Sequence, residues 1–240
     1  MNKIRVSAVS YTNTKPFVYG LQHSGILDRI DLSLDIPSDC AAKVISDEAD
    51  LGLIPVAALL SIPEYHIISD FCIGADGPVD SVFLFSEKPV DEIRSVSLDA
   101  QSRTSNGLAR VLLKYHWKVE PVFVGPGEES DAFVEIGDRT FGKKGKYPFV
   151  YDLAESWKSY CGLPFVFAAW TSNKPLDAGF VAAFNEALAY GLEHRQEVLK
   201  DLPVHPGFDL EDYLYHKLDF DLTEKKRSAL EKYLALLKTV

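Results

Sequence analysis

The sequence predicts an α/β protein divided into two lobes, on three observations. Short apolar runs alternate with segments of helical periodicity along the whole chain. That alternation breaks at residues 86–90 and again at 170–175, where the chain could pass from one lobe to another. The apolar content is high: 47% of the 240 residues are hydrophobic, with 14 Phe, 11 Tyr and 3 Trp, which fills real cores and excludes global disorder.

In order, residues 4–9 (Ile4-Arg5-Val6-Ser7-Ala8-Val9) form a first strand, 10–16 a polar loop and 17–22 the start of a helix. A second strand covers 32–35. Ser38 or Asp39 is placed to cap a helix through about 46, with Ala41, Val44 and Ile45 on one side. Residues 51–54 form a short buried strand, and Pro55 suits the first turn of a helix through 60. Strands at 65–68 and 81–85 flank the turn-rich Gly74-Ala75-Asp76-Gly77-Pro78.

A strand at 95–98, a loop at 99–103 and a helix to about 115 follow. Leu108, Val111, Leu112 and Tyr115 in that helix lie at i, i+3, i+4 and i+7, an apolar face. Strands at 120–124 and 132–136, a helix at 153–160 and the apolar run 165–170 complete the middle. Residues 178–199 and 209–237 read as helical. On these breaks the lobes are 1–88 with 171–240, and an inserted 89–170. A cleft between two such lobes suits a small ligand.

Charge narrows the partners. Thirty-five acidic against 25 basic residues give a net charge of −10, which argues against nucleic acid or an anionic membrane surface. The passage from Leu51 to Ile62 is too short to span a bilayer and contains Pro55. The N-terminus lacks the long apolar core of a secretory signal, so a cytoplasmic protein is expected. Cys40, Cys72 and Cys161 are widely spaced and odd in number, which fits small buried hydrophobes better than a disulfide or thiolate metal site.

Familiar catalytic signatures are missing: no GxGxxG after a strand, no GxxxxGK[ST], no HExxH and no GxSxG. The six histidines are isolated, so neither a metal nor another cofactor is expected. Glu128, Glu129 and Asp131 read as a solvated loop, and Lys225-Lys226-Arg227 as an exposed helical face after a helix start at Thr223-Glu224.

Three polar regions at strand ends are the candidate site. They are Ser10-Tyr11-Thr12-Asn13-Thr14-Lys15-Pro16 after the first strand, Ser81 at the head of an apolar strand, and Asp99 to Gly107, where a strand gives way to a helix N-terminus. Ligands of open α/β sheets bind beyond strand ends, and a helix N-terminus presents free N–H groups to an anion. Ser102, Thr104 and Ser105 can equally be ordinary helix caps, and Tyr11 and Asn13 an ordinary turn.

The run Val9-Ser10-Tyr11-Thr12-Asn13-Thr14-Lys15-Pro16-Phe17 with Gly20-Leu21 resembles the opening of the MqnA family, the chorismate dehydratases of the futalosine route to menaquinone. Further blocks resemble the same family in order: residues 77–86 around Ser81, Ser102-Arg103-Thr104-Ser105, Ile136-Gly137-Asp138, and residues 162–170 ending in Trp170. The resemblance implies a type II periplasmic-binding-protein-like fold with a ligand cleft between its lobes. The sister family MqnD, acting on cyclic dehypoxanthine futalosine, shares that fold but carries a histidine where this chain has Gly137. A non-catalytic solute-binding or sensor protein of the same fold is the alternative of a different class.

The implied reaction removes water from chorismate, a dicarboxylate. By the resemblance Asn13 and Ser81 are nearest the chemistry. Ser10, Tyr11, Thr12, Ser102, Arg103, Thr104, Ser105, Gly137 and Asp138 bind substrate. Neither Asn13 nor Ser81 is a competent base near neutral pH, so the substrate's own side-chain carboxylate is expected to take the proton, with Asp138 or Asp152 as the competing acceptor.

Overall fold

Two mixed sheets organise residues 3–240, which this computed structural model describes. Its strands are β1 (Ile4–Val9), β2 (Ile30–Asp35), β3 (Leu51–Pro55), β4 (His66–Ala75), β5 (Val82–Ser86), β6 (Ser95–Ser97), β7 (Val122–Val124), β8 (Ala132–Ile136), β9 (Phe149–Asp152), β10 (Phe165–Ser172) and β11 (Asp219–Asp221). Its helices are α1 (Lys15–His23), α2 (Pro37–Ile45), α3 (Arg103–Val111), α4 (Leu153–Cys161), α5 (Ala178–Glu193), α6 (Arg195–Asp201), α7 (Leu210–Asp212) and α8 (Glu224–Leu237). No described helix is long and apolar enough to cross a membrane.

The first sheet has the order β11-β4-β10-β3-β1-β2. β1 pairs in parallel with β2 and β3, and β10 runs antiparallel to β3. Every residue of β3 and β10 is buried, which explains their unbroken apolar runs: a strand covered on both faces has no polar side to alternate with. Phe17 of α1 packs against Trp170 and Phe220, and Trp170 against Phe184. Where α1 meets α5, a methyl group on Gly20 would strike the Ala187 carbonyl, and one on Gly191 the Pro16 carbonyl. Glycine at both positions lets two helix backbones touch. Burial pushes the Cys40 thiol up to about 11, as suits a small core hydrophobe.

The second sheet has the order β7-β6-β8-β5-β9. Helix α8 lies against α3 at Gly107, where Tyr233 and Leu237 fill the space a side chain would take. Tyr233 donates to the Thr104 carbonyl at 2.8 Å and packs edge-on to Trp157 and Phe165.

The chain folds into two compact units: one through Ile73 with Phe167–Pro203 and Phe220–Thr223, the other Gly74–Val166 with Val204–Asp219 and Glu224–Val240. This differs from the expected 1–88 with 171–240 and 89–170, for two reasons. β5 is already laddered to β8 and β9, so the break at Pro89 falls inside the second sheet. The C-terminal helix returns to α3, which no local sequence signal announces.

Several local expectations are corrected. Ile36 precedes α2 and Pro37 opens it, so Ser38 and Asp39 lie inside its first turn rather than capping it. β4 runs on through Gly74 and Ala75, which were expected to turn. Pro55 ends β3, and a 3₁₀ segment, Val56–Ser61, follows. Residues 209–237 are not one helical stretch, because β11 interrupts them. Lys226 is not on an exposed face: it is fully buried and bonds both the carbonyl (2.6 Å) and the carboxylate (2.8 Å) of Asp219. Asp131 is no free loop charge either. It accepts the Arg94 and Ser95 N–H groups and pairs with Lys88 at 2.7 Å.

Candidate functional site

In the first unit the loop after β1 is built on a part-buried polar cluster. The Ser7 and Ser33 hydroxyls each donate to Asp35 at 2.7 Å, and Lys43 pairs with the same carboxylate at 2.7 Å. Burial pushes the Asp35 carboxyl up, but these hydrogen bonds win and hold it below its ordinary value. The Ser10 N–H then donates to the Asp35 carbonyl, which pins the start of the loop. Tyr11 leads into a 3₁₀ turn, Thr12–Thr14, closed by the Thr14 N–H on the Tyr11 carbonyl at 3.0 Å. Thr12 and Thr14 are buried, while Ser10, Tyr11 and Asn13 are half-exposed. The Thr14 hydroxyl donates to Asn13 Oδ1 at 3.0 Å, which makes the amide nitrogen the donor end of that side chain.

In the second unit, strand direction brings distant segments to one sheet edge. β6 and β8 are parallel, so the loops after Ser97 and after Ile136 leave at the same end. β5 is antiparallel to β8 with Val82 opposite Ile136, which puts Ser81, at the start of its strand, at that end too. Asp152, at the close of β9, pairs with Phe83 nearby. Ser81, Ser102–Ser105 and Gly137–Asp138 therefore share an edge although 57 positions separate Ser81 from Asp138.

Ser81 is buried and held at both ends. Its carbonyl accepts the Gly137 N–H at 2.8 Å, and its Oγ accepts the Tyr213 hydroxyl at 2.9 Å. Gly137 has φ +65°, a left-handed conformation that glycine adopts without cost. Asp80, just before Ser81, also lies at φ +57°. Its N–H donates to Asp152, and its carboxylate pairs with Lys144 at 2.8 Å and Lys217 at 3.4 Å. Asp152 accepts four backbone N–H groups: Val79 and Asp80 on one oxygen, Ala154 and Glu155 on the other. Burial pushes its carboxyl up to about 6, against those donors.

At the head of α3, Ser102 is the N-cap and accepts the Ser105 N–H at 3.0 Å. The capping reading of Ser102 therefore holds in the structure. Ser102, Thr104 and Ser105 are buried, and Arg103 is exposed. Asp138 is half-buried. Sequence reasoning missed a pair at this edge: Arg139 donates to the buried Asp99 carboxylate at 2.6 Å, tying the loop after β8 to the loop after β6. Asp99 directly after a strand and Arg139 just past Gly137 are the signals that could have drawn attention to it. Tyr213 was missed as well, with no local signal to find it. Among the described residues, no group of three or more His, Cys, Asp or Glu side chains could hold a metal ion.

Residues 4–239 match the sequence model of a family described as menaquinone biosynthesis. A chorismate dehydratase of Thermus thermophilus is 27% identical over 266 residues, spanning 95% of this chain and 92% of that protein. An X-ray structure of an Archaeoglobus fulgidus protein superposes with a TM-score of 0.72 at 18% identity, covering 99% of this chain and 97% of that one. A Candida albicans gene product described as having the generic periplasmic binding protein fold gives 0.63 at 13% identity, over 100% and 91% of the two chains. The two-sheet α/β architecture is thus periplasmic-binding-protein-like, as the family resemblance implies. Since the family match runs from the first residue of β1 to beyond α8, the chain belongs to the menaquinone-biosynthesis family.

Proposed function

We propose that the chain is a chorismate dehydratase, a carbon–oxygen hydro-lyase that converts chorismate to 3-[(1-carboxyvinyl)oxy]benzoate and water. The observation that carries this reading is the likeness to the Thermus thermophilus chorismate dehydratase across 95% of the chain. In this reaction the proton on the ring carbon bearing the enolpyruvyl ether leaves, the neighbouring hydroxyl departs with its bonding electrons, and the ring becomes aromatic. Aromatisation drives the step, so the protein's work is to orient the substrate and favour elimination over rearrangement.

On this reading the Asn13 amide and the Ser81 hydroxyl act nearest the reacting atoms as hydrogen-bond donors. Ser10, Tyr11 and Thr12 line the substrate, Gly137 and Asp138 flank it, and Ser102, Arg103, Thr104 and Ser105 receive a carboxylate at the head of α3. The substrate's side-chain carboxylate takes the proton. Support comes from the donor chemistry of the Asn13 amide and from the engagement of both Asp152 oxygens by backbone N–H groups. The test is direct: purified protein is incubated with chorismate, without added metal or nucleotide, and products are separated and weighed by mass spectrometry. An aromatic enolpyruvyl ether lighter by one water is expected. Chorismate recovered intact overturns the reading, and saturable binding without turnover would indicate a solute-binding protein instead.

A further inference from the structure

We infer that Tyr213 is a positioning residue for the reaction, setting the direction in which the Ser81 hydroxyl donates; this rests on the dehydratase reading and deepens it. Both side chains are almost fully buried, and both belong to the second unit. Tyr213 Oη donates to Ser81 Oγ at 2.9 Å. A serine hydroxyl has one hydrogen and two lone pairs, so a donor filling one lone pair turns the hydrogen elsewhere. With Tyr213 donating, the Ser81 hydrogen is directed away from Tyr213 and serves the substrate.

The surroundings make this a fixed arrangement. The Tyr213 ring packs edge-on to Phe141 at 5.5 Å and at 5.2 Å from Phe208, and those two rings stack on each other at 3.8 Å. Beside it lies a cavity of about 160 Å³ lined by Asp80, Phe83, Thr140, Phe208 and Tyr213. On the other side of Ser81 the backbone is equally constrained: Asp80 is held left-handed by Asp152, Lys144 and Lys217, and the Ser81 carbonyl by Gly137. Backbone and side chain of Ser81 are thus fixed by separate sets of partners. Of Ser81, the phenol holds the hydroxyl.

Tyr213→Phe removes that donor and keeps the ring. Its kcat for chorismate is expected to fall on the order of 10- to 100-fold, with KM changed less than about twofold. In a Ser81→Ala background the same substitution is expected to cause no further loss, because nothing remains to be positioned. An unchanged kcat for Tyr213→Phe overturns the inference, as does an equal loss with and without Ser81. A fully active Ser81→Ala overturns the role of Ser81 and this inference with it, while a wild-type chain inert on chorismate overturns the dehydratase reading itself. Should Tyr213→Phe fail to fold, 3,5-difluorotyrosine at position 213 retains ring and hydroxyl. Its phenol is more acidic than that of tyrosine, so the loss of kcat with rising pH should begin at lower pH than in the natural protein. A pH profile identical to the natural protein's counts against the inference.

Discussion

Asp152 accepts the backbone N–H of Asp80 at 2.8 Å, one residue ahead of Ser81. The same oxygen takes the Val79 N–H at 2.9 Å, while the other caps α4. One carboxylate therefore fixes the turn that presents Ser81 and the helix that follows β9. A left-handed non-glycine residue costs roughly 1–2 kcal/mol, which this buried anchor offsets.

Asp152→Asn should therefore damage the fold. An amide can present its oxygen to only one pair of N–H groups and turns its own N–H2 toward the other. Loss of about 2 kcal/mol is expected, read as a lower urea midpoint with unchanged slope. If Asp152 were instead the proton acceptor, the variant would keep its midpoint and its chorismate affinity but lose turnover.

Removing the donors should affect rate more than folding. Asn13→Ala and Ser81→Ala are each expected to lower kcat by about several hundred-fold, as deletion of a transition-state donor does. Rates near the natural value would remove these residues from the site. On the proposal that the substrate supplies the base, Asp138→Asn should retain turnover within about tenfold; abolished turnover with intact binding would make Asp138 the acceptor.

The α1–α5 contact should tolerate no methyl group. Gly20→Ala and Gly191→Ala each drive a side chain into a backbone carbonyl, and overpacking of this kind costs about 1–3 kcal/mol. Thermal melting of each variant should show a clear drop. Gly25, where an added methyl group meets nothing, serves as a control for space, although its φ of +80° adds strain of its own.

Acid should loosen the start of the first sheet. Arg5 hydrogen-bonds the Asp50 carboxylate through Nε and Nη2, and Lys174 joins at 2.6 Å, holding that carboxyl well below its ordinary value despite partial burial. A depressed folded-state value means that this stabilisation is complete above pH ~4 and lost as pH falls further. In Asp50→Asn the acid-dependent loss below pH 4 should be smaller than in the natural protein, measured by denaturation at stepped pH. An identical acid profile would show that the pair contributes nothing.

Legibility in the sequence followed burial. The strands at 51–54 and 165–170 were plain because two covered faces demand continuous apolar residues. β9 and β11, of four and three residues, were both missed, β11 because it sits inside a stretch read as helical. The stripe Leu108, Val111, Leu112 and Tyr115 pointed correctly inward, with only Tyr115 part-exposed. Lys226 defeated the pattern, because a lysine goes inside only when a specific partner meets it, here Asp219. Of the proposed site, the polar loops at strand ends could be read locally. Tyr213 was not, as its contact with Ser81 spans 132 positions and leaves no local trace.

The edge of the second sheet that gathers Ser81, Ser102 and Gly137 has an opposite counterpart. There the β5–β6 connection, residues 87–94, both departs and returns, with Glu87, Asp91 and Glu92 exposed. The proposed site residues lie at one rim of the sheet, and this connection occupies the other. Lengthening the connection, or attaching a fluorophore at Glu92, should leave the reacting groups where they are, provided that Asp131 keeps its hold on Arg94 and Ser95. That rim is where the unit can acquire new sequence, or carry a reporter, without disturbing the work done at the far end.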